Sequence, residues 1–143
     1  NMLGTLNVGL TGVPESHLSR ECDIPIVVDT GPEVILGSTR MKNGTAQKLV
    51  LNTISTSVMI RLGRVYSNLM VEMPATNAKL QRRSVLMIQL AAESTRDQAE
   101  RAWRESGGNV KRAVVMIRKG IDAAAASELL ESSAGNLREA LGR

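Results

Sequence analysis

The sequence predicts an α/β chain: a parallel-sheet region over residues 1–92, followed by a small all-helical domain over residues 93–143. Three observations predict it. Two short apolar runs, each closed by turn residues, flank a stretch of one or two helical turns; a long apolar repeat of helical period begins at Thr45; and beyond Glu93 helix caps alternate with glycines.

The runs are residues 6–10 (LNVGL), closed by Thr11-Gly12-Val13-Pro14, and residues 24–28 (IPIVV), closed by Asp29-Thr30-Gly31-Pro32. Both read as strands, and residues 16–22 between them read as a short helix capped by Ser16. Strand, helix, strand implies parallel pairing, and Pro25 argues against a central position for the second strand. From Thr45, the spacing of Ala46, Leu49, Val50, Ile54, Val58 and Leu62 predicts a helix of about five turns ending near Gly63. Leu51, Met59 and Ile60 widen its apolar stripe, so it expects neighbours on most sides. A further helix is expected over residues 76–92, with Leu80, Val85, Ile88 and Ala92 facing inward, and a helix start at Ser94-Thr95-Arg96-Asp97.

In the last fifty residues, AWRESGGNV (102–110) and LLESSAGNL (129–137) form a weak repeat: a helix ends at glycine, an Asn caps the next and an apolar residue follows. The arrangement is similar to ubiquitin-associated-type three-helix modules, with Trp103 as a packing anchor.

Composition narrows the function. The chain has 143 residues, with no Phe, one Trp and one Tyr, too few aromatics for a stacking surface on single-stranded nucleic acid. Its 18 Lys and Arg exceed 14 Asp and Glu, but they are scattered, Arg61, Arg64, Arg101, Arg104, Arg112 and Arg118 among them. These read as solvated helix faces, compatible with small anionic substrates rather than nucleic acid. Cys22 is the only cysteine and reads as a small buried hydrophobe. No Cys/His cluster suits zinc, no apolar stretch suits a membrane span, and no signal peptide is evident, so the expectation is a cytoplasmic protein without a zinc site. His17 reads as a surface residue, and Met41, Met59, Met70, Met73, Met87 and Met116 read as core fillers.

The candidate site follows the second strand: Gly31-Pro32-Glu33, then Gly37-Ser38-Thr39-Arg40-Met41-Lys42, then the long helix. Ligands of open α/β sheets bind beyond the carboxyl ends of strands, and helix amino termini offer free amides to anions. Ser38, Thr39, Arg40 and Lys42 add hydroxyls and two cations, suiting a phosphorylated or carboxylated ligand. On spacing alone the alternative is equally good: Ser38 or Thr39 caps the helix, Arg40 and Lys42 are solvated, and Glu33 pairs with one of them.

The segment TGPEVILGSTRMKNGTAQK (30–48), continuing through LVLNTISTSVMIRLGRVYSNLMVEMPATNAKL (49–80) to GGNVKRAVVM (107–116) and AGNLREAL (134–141), resembles the N-acetylmuramic acid 6-phosphate etherases of the SIS (sugar isomerase) family. It is more distantly similar to the glucokinase regulatory protein. A looser GPE followed by ST and a basic residue also occurs in the isomerase domain of glucosamine-6-phosphate synthase. Asn43 stands where the family usually has Ala, and Ser67 where it usually has Gly.

The resemblance implies the second half of a SIS-type three-layer parallel-sheet domain, a lyase that opens the D-lactyl ether of a sugar 6-phosphate, no cofactor, and a homodimer. It implies that Glu33, Ser38, Thr39, Arg40 and Lys42 line the sugar-phosphate site. Both catalytic glutamates of the family pattern lie in AVEGAED-like and SECPPTFG-like segments that do not occur here, so no catalytic residue is expected in these 143 residues. A non-catalytic sugar-phosphate-binding regulatory module is the alternative. A sheet of two strands is marginal alone, so the chain is expected to need its missing half or a second copy.

Overall fold

A computed structural model describes residues 4–142. The chain divides into two compact units, one running to Thr56 and the other from Ser57 onward.

In the first unit, β1 (Val8–Thr11) and β2 (Ile24–Val27) pair in parallel, with Gly9 opposite Pro25. The connecting helix α1 (His17–Glu21) starts where Ser16 accepts a hydrogen bond from the Ser19 amide at 3.3 Å. Gly9 is required sterically: a Cβ there would lie 2.6 Å from Cys22 Sγ. Cys22 is half-buried, and its thiol donates to the Ser19 carbonyl. With only two strands, β2 is an edge, the place where a proline costs no ladder bond.

Helix α2 (Lys42–Arg61) begins three residues before the first position of the apolar repeat. Glu33 moves its start, through contacts described below. Its end is as the glycine suggested: Gly63 takes φ of +68°, and the Arg64 amide reaches back to the Met59 carbonyl at 3.0 Å. The expected covering of α2 is absent in this chain. Every residue over 51–62 is exposed, Leu51, Ile54, Ile60 and Leu62 among them. Met41, Met59 and Met70 are likewise exposed rather than core fillers, whereas Met116 is buried. The physical reason is a shortage of layers, since among the described residues the first unit supplies only two short strands and a five-residue helix besides α2.

The second unit holds the hydrophobic core. A hairpin of β3 (Val65–Tyr66) and β4 (Leu69–Met70) leads into α3 (Ala78–Ala92), α4 (Arg96–Glu105), α5 (Val110–Lys119), α6 (Ala123–Ser132) and α7 (Leu137–Leu141). α5 is central, packing on α3, α4, α6 and α7. Its Val110, Val114 and Val115 are buried with Val71, Ile88, Ala99, Ala102 and Leu137. Of the inward positions expected on α3, Ile88 and Ala92 are buried while Leu80 and Val85 are half-buried; Ser84 joins the buried face. α3 packs on both α4 and α5.

Each helix of this unit begins on a side-chain cap. Asn77, Asn109, Asp122 and Asn136 each accept from backbone amides, and Thr95 forms a reciprocal capping box with Gln98. The two repeated Asn residues thus cap α5 and α7, and the apolar residue after each, Val110 and Leu137, is buried. Trp103 is half-buried against the core, its ring beside Gly108. The observed architecture is therefore α/β, mostly helical, with one small parallel sheet.

Candidate functional site

The loop between β2 and α2 is built from turns that close on the helix. The Val28 amide continues the ladder to the Thr11 carbonyl at 2.9 Å, and the Asp29 carboxylate accepts from the Gly31 amide at 2.9 Å. Gly31, at φ of +64°, turns the chain and delivers Pro32 and Glu33 to the start of α2.

Glu33 is the organising residue. Its Oε2 accepts from the Lys42 amide and its Oε1 from the Asn43 amide, both at 3.0 Å. One carboxylate thereby satisfies two orphan amides at the positive end of a twenty-residue helix. The Asn43 and Lys42 amides, in that order, hold its carboxyl below the ordinary glutamate range, with a further contribution from the Lys42 charge. Lys42 Nζ donates to the Pro32 carbonyl at 2.8 Å, fastening the other side of the same turn.

The rest of the segment forms a second, open turn. The Ser38 amide donates to the Ile35 carbonyl at 3.0 Å, Gly37 adopts φ of +85°, and the Thr39 carbonyl accepts from the Gly44 amide at 2.9 Å. Among the described residues, no side-chain hydrogen bond or ion pair engages Ser38, Thr39 or Arg40. Thr39 and Arg40 are exposed and Ser38 is half-buried. Val34, Ile35 and Leu36 project at the tip, Leu36 being 96% exposed.

Of the five residues singled out from sequence, the fold joins Glu33 and Lys42 directly. It leaves Ser38, Thr39 and Arg40 in the adjoining turn with free donors. The cap is Glu33, not Ser38 or Thr39. That turn presents two hydroxyls and a guanidinium that are exposed or half-buried. Glu33 is occupied as an acceptor from both oxygens, which suits holding the loop rather than moving protons. Asn43 has a local explanation: its side-chain amide fills the space a Cβ at Gly12 would occupy.

Sequence reading missed one cluster. Arg64 and Arg112 read as solvated, and Lys111 and Glu72 were unremarked. In the structure Lys111 is buried and bonded to Glu72, which also pairs with Arg64. The signal was helical spacing: Lys111 stands three and four residues before Val114 and Val115 on the core-facing side of α5. Among the described residues, no group of three or more His, Cys, Asp or Glu could hold a metal ion, and no helix is long and apolar enough to cross a membrane.

No family model matches the chain. Curated relatives do. An N-acetylmuramic acid 6-phosphate etherase of Deinococcus radiodurans is 48% identical over 139 residues, 97% of this chain and 46% of the relative. One from Symbiobacterium thermophilum is 53% identical over 119 residues, 83% of this chain and 40% of the relative. One from Clostridium botulinum is 43% identical over 141 residues, 99% of this chain and 47% of the relative. The chain thus spans about half the length of these relatives. Over nearly its whole length the chain is similar to the carboxyl-terminal portion of the N-acetylmuramic acid 6-phosphate etherases.

Proposed function

We propose that this chain supplies the substrate-holding wall of an etherase, a lyase that cleaves the D-lactyl ether of N-acetylmuramic acid 6-phosphate to give N-acetylglucosamine 6-phosphate and D-lactate. The observation that carries the reading is the preorganised turn before α2. Glu33 fixes the loop to the helix, and Ser38, Thr39 and Arg40 are left with uncommitted donors beside Lys42. In this reading Arg40 and Lys42 neutralise the phosphate, Ser38 and Thr39 donate hydroxyl hydrogen bonds to its oxygens, and Glu33 positions the loop.

Elimination of lactate from C3 needs one group to take the C2 proton and an acid to protonate the departing ether oxygen, and water then adds across the resulting alkene to give the 3-hydroxyl of the product. Glu33 is a poor base here, because both its oxygens accept amide hydrogen bonds that stabilise the ionised form. The acid and base are assigned to the two glutamates of the family's other half. No cofactor is required, because a carboxylate pair can perform both proton transfers.

The whole protein is then a cytoplasmic SIS-type enzyme, with residues 1–92 completing a three-layer sheet domain and residues 93–143 forming its helical appendage. The apolar length of α2, exposed here, supports that reading: Ile54, Val58 and Leu62 suit burial in the complete domain or in a homodimer. Replacing Arg40 and Lys42 together by Ala in a full-length etherase raises KM for the sugar phosphate about tenfold or more, at least the loss expected for one charge-assisted contact. Unchanged kinetics would remove these residues from the site.

A further inference from the structure

A groove of about 450 Å³ runs between α3 and α4, within the second unit. One face of α3 lines it with Arg82, Val85 and Leu86, and one face of α4 with Arg96, Glu100, Trp103 and Arg104. Val85 and Trp103 are half-buried, and Leu86 is 48% exposed. Beyond Met70, Leu86 and Leu90 are the only large apolar residues left exposed among the described residues, and both are on α3. A shortage of layers does not account for them, because α3 already has α4 and α5 packed against it.

The charge of the groove is one-sided. Arg96 is satisfied by Glu100, whose Oε1 lies 2.8 Å from its Nε. Arg82 and Arg104, one from each helix, are exposed, and among the described residues no hydrogen bond or ion pair engages either. Three guanidinium groups therefore stand against one carboxylate along an apolar strip. Trp and Arg with apolar neighbours make the composition of a protein-recognition surface. A nucleic acid is poorly matched, since Trp103 is the one aromatic side chain in the groove and is half-buried. We propose that this groove docks an acidic peptide segment of a partner protein. An apolar side chain of the segment seats on Val85, Leu86 and Trp103, and carboxylates on either side of it pair with Arg82 and Arg104, whose planar forks match them. The surface uses none of the residues of the loop before α2 and does not depend on the etherase reading.

Trp103 is a built-in reporter, being the chain's only tryptophan and part of the groove wall. Titrating the 143-residue chain with a short peptide of Glu and Leu is expected to shift its emission to the blue, saturably, with an affinity that falls as sodium chloride is raised. The same peptide with Gln for Glu, or with Ser for Leu, binds about tenfold more weakly, and a single-stranded oligonucleotide gives no saturable shift. Arg82→Glu and Arg104→Glu each weaken binding of the acidic peptide about tenfold. Arg101→Glu makes the same charge change at an exposed position of α4 outside the groove and alters binding by less than about twofold. All three arginines are exposed, so the buried core is unchanged in each variant and a loss of binding is not a loss of fold. No saturable shift, equal binding of the Gln peptide or of the oligonucleotide, or an Arg101 variant weakened as much as the Arg82 variant would overturn the proposal.

Discussion

The two units of this chain both carry many Leu, Ile and Val, but to opposite effect. In the unit from Ser57 onward a core closes, with Val71, Ile88, Val114, Val115 and Leu137 almost wholly buried around α5, while Val58, Ile60 and Leu62 around the end of α2 stay exposed. Up to Thr56 no core closes: Leu6, Val8, Ile24, Val27, Leu49 and Ile54 remain exposed, and of the described residues only Gly9 and Thr11 are buried. The helical unit can satisfy its pattern with local neighbours, because five short capped helices bring their own faces together. The strand-bearing unit is patterned for more layers than it has. A parallel strand buries both faces only when other elements cover them.

That contrast can be broken most sharply in the core. Leu137→Ala, at a position 1% exposed, is expected to cost about 2–5 kcal/mol in urea denaturation followed by Trp103 fluorescence. Leu36→Ala, at the exposed loop tip, should change stability by less than about 0.5 kcal/mol. Equal effects would erase the distinction between the units. A smaller loss is expected from Gly9→Ala. The new methyl meets Cys22 Sγ and overpacks the β1 and α1 contact by about 1–3 kcal/mol, read as faster amide exchange over residues 8–27.

Ser67 sharpens the comparison in the other direction. It holds φ of +54° at the first central position of the β3–β4 turn, where glycine is favoured. Ser67→Gly should stabilise the helical unit by about 1 kcal/mol, measurable as a raised urea midpoint. The smallest effect concerns Glu33. Its carboxyl is held below the ordinary range in the folded loop, so its contribution is present above the ordinary glutamate pKa and is lost as pH falls through the depressed value. Amide exchange at Lys42 and Asn43 should therefore accelerate only in that acidic window. In Glu33→Gln it should be fast throughout.

Local signals carried most of the fold. Apolar runs located β1 and β2, Ser16, Thr95, Asn109 and Asn136 marked caps, and Gly63 marked the end of α2. What local pattern could not show was distance along the chain. Glu33 reaches nine residues forward to Lys42, and that contact, invisible to periodicity, moved the helix start. Lys111 reaches thirty-nine residues back to Glu72, a pairing of a buried lysine that no local pattern shows. The exposure of α2 was illegible for the opposite reason. Its apolar stripe states what should cover it, and the layers that could do so are not among these elements.

The most direct measurement is D-lactate release from N-acetylmuramic acid 6-phosphate by the purified 143-residue chain, alone and mixed with the amino-terminal portion of a related etherase. A substrate-holding wall without its acid and base predicts no release alone and restored release in the mixture. Lactate formed by the chain alone would place catalytic carboxylates within these residues and contradict the assignment of Glu33, Ser38, Thr39, Arg40 and Lys42 to binding only.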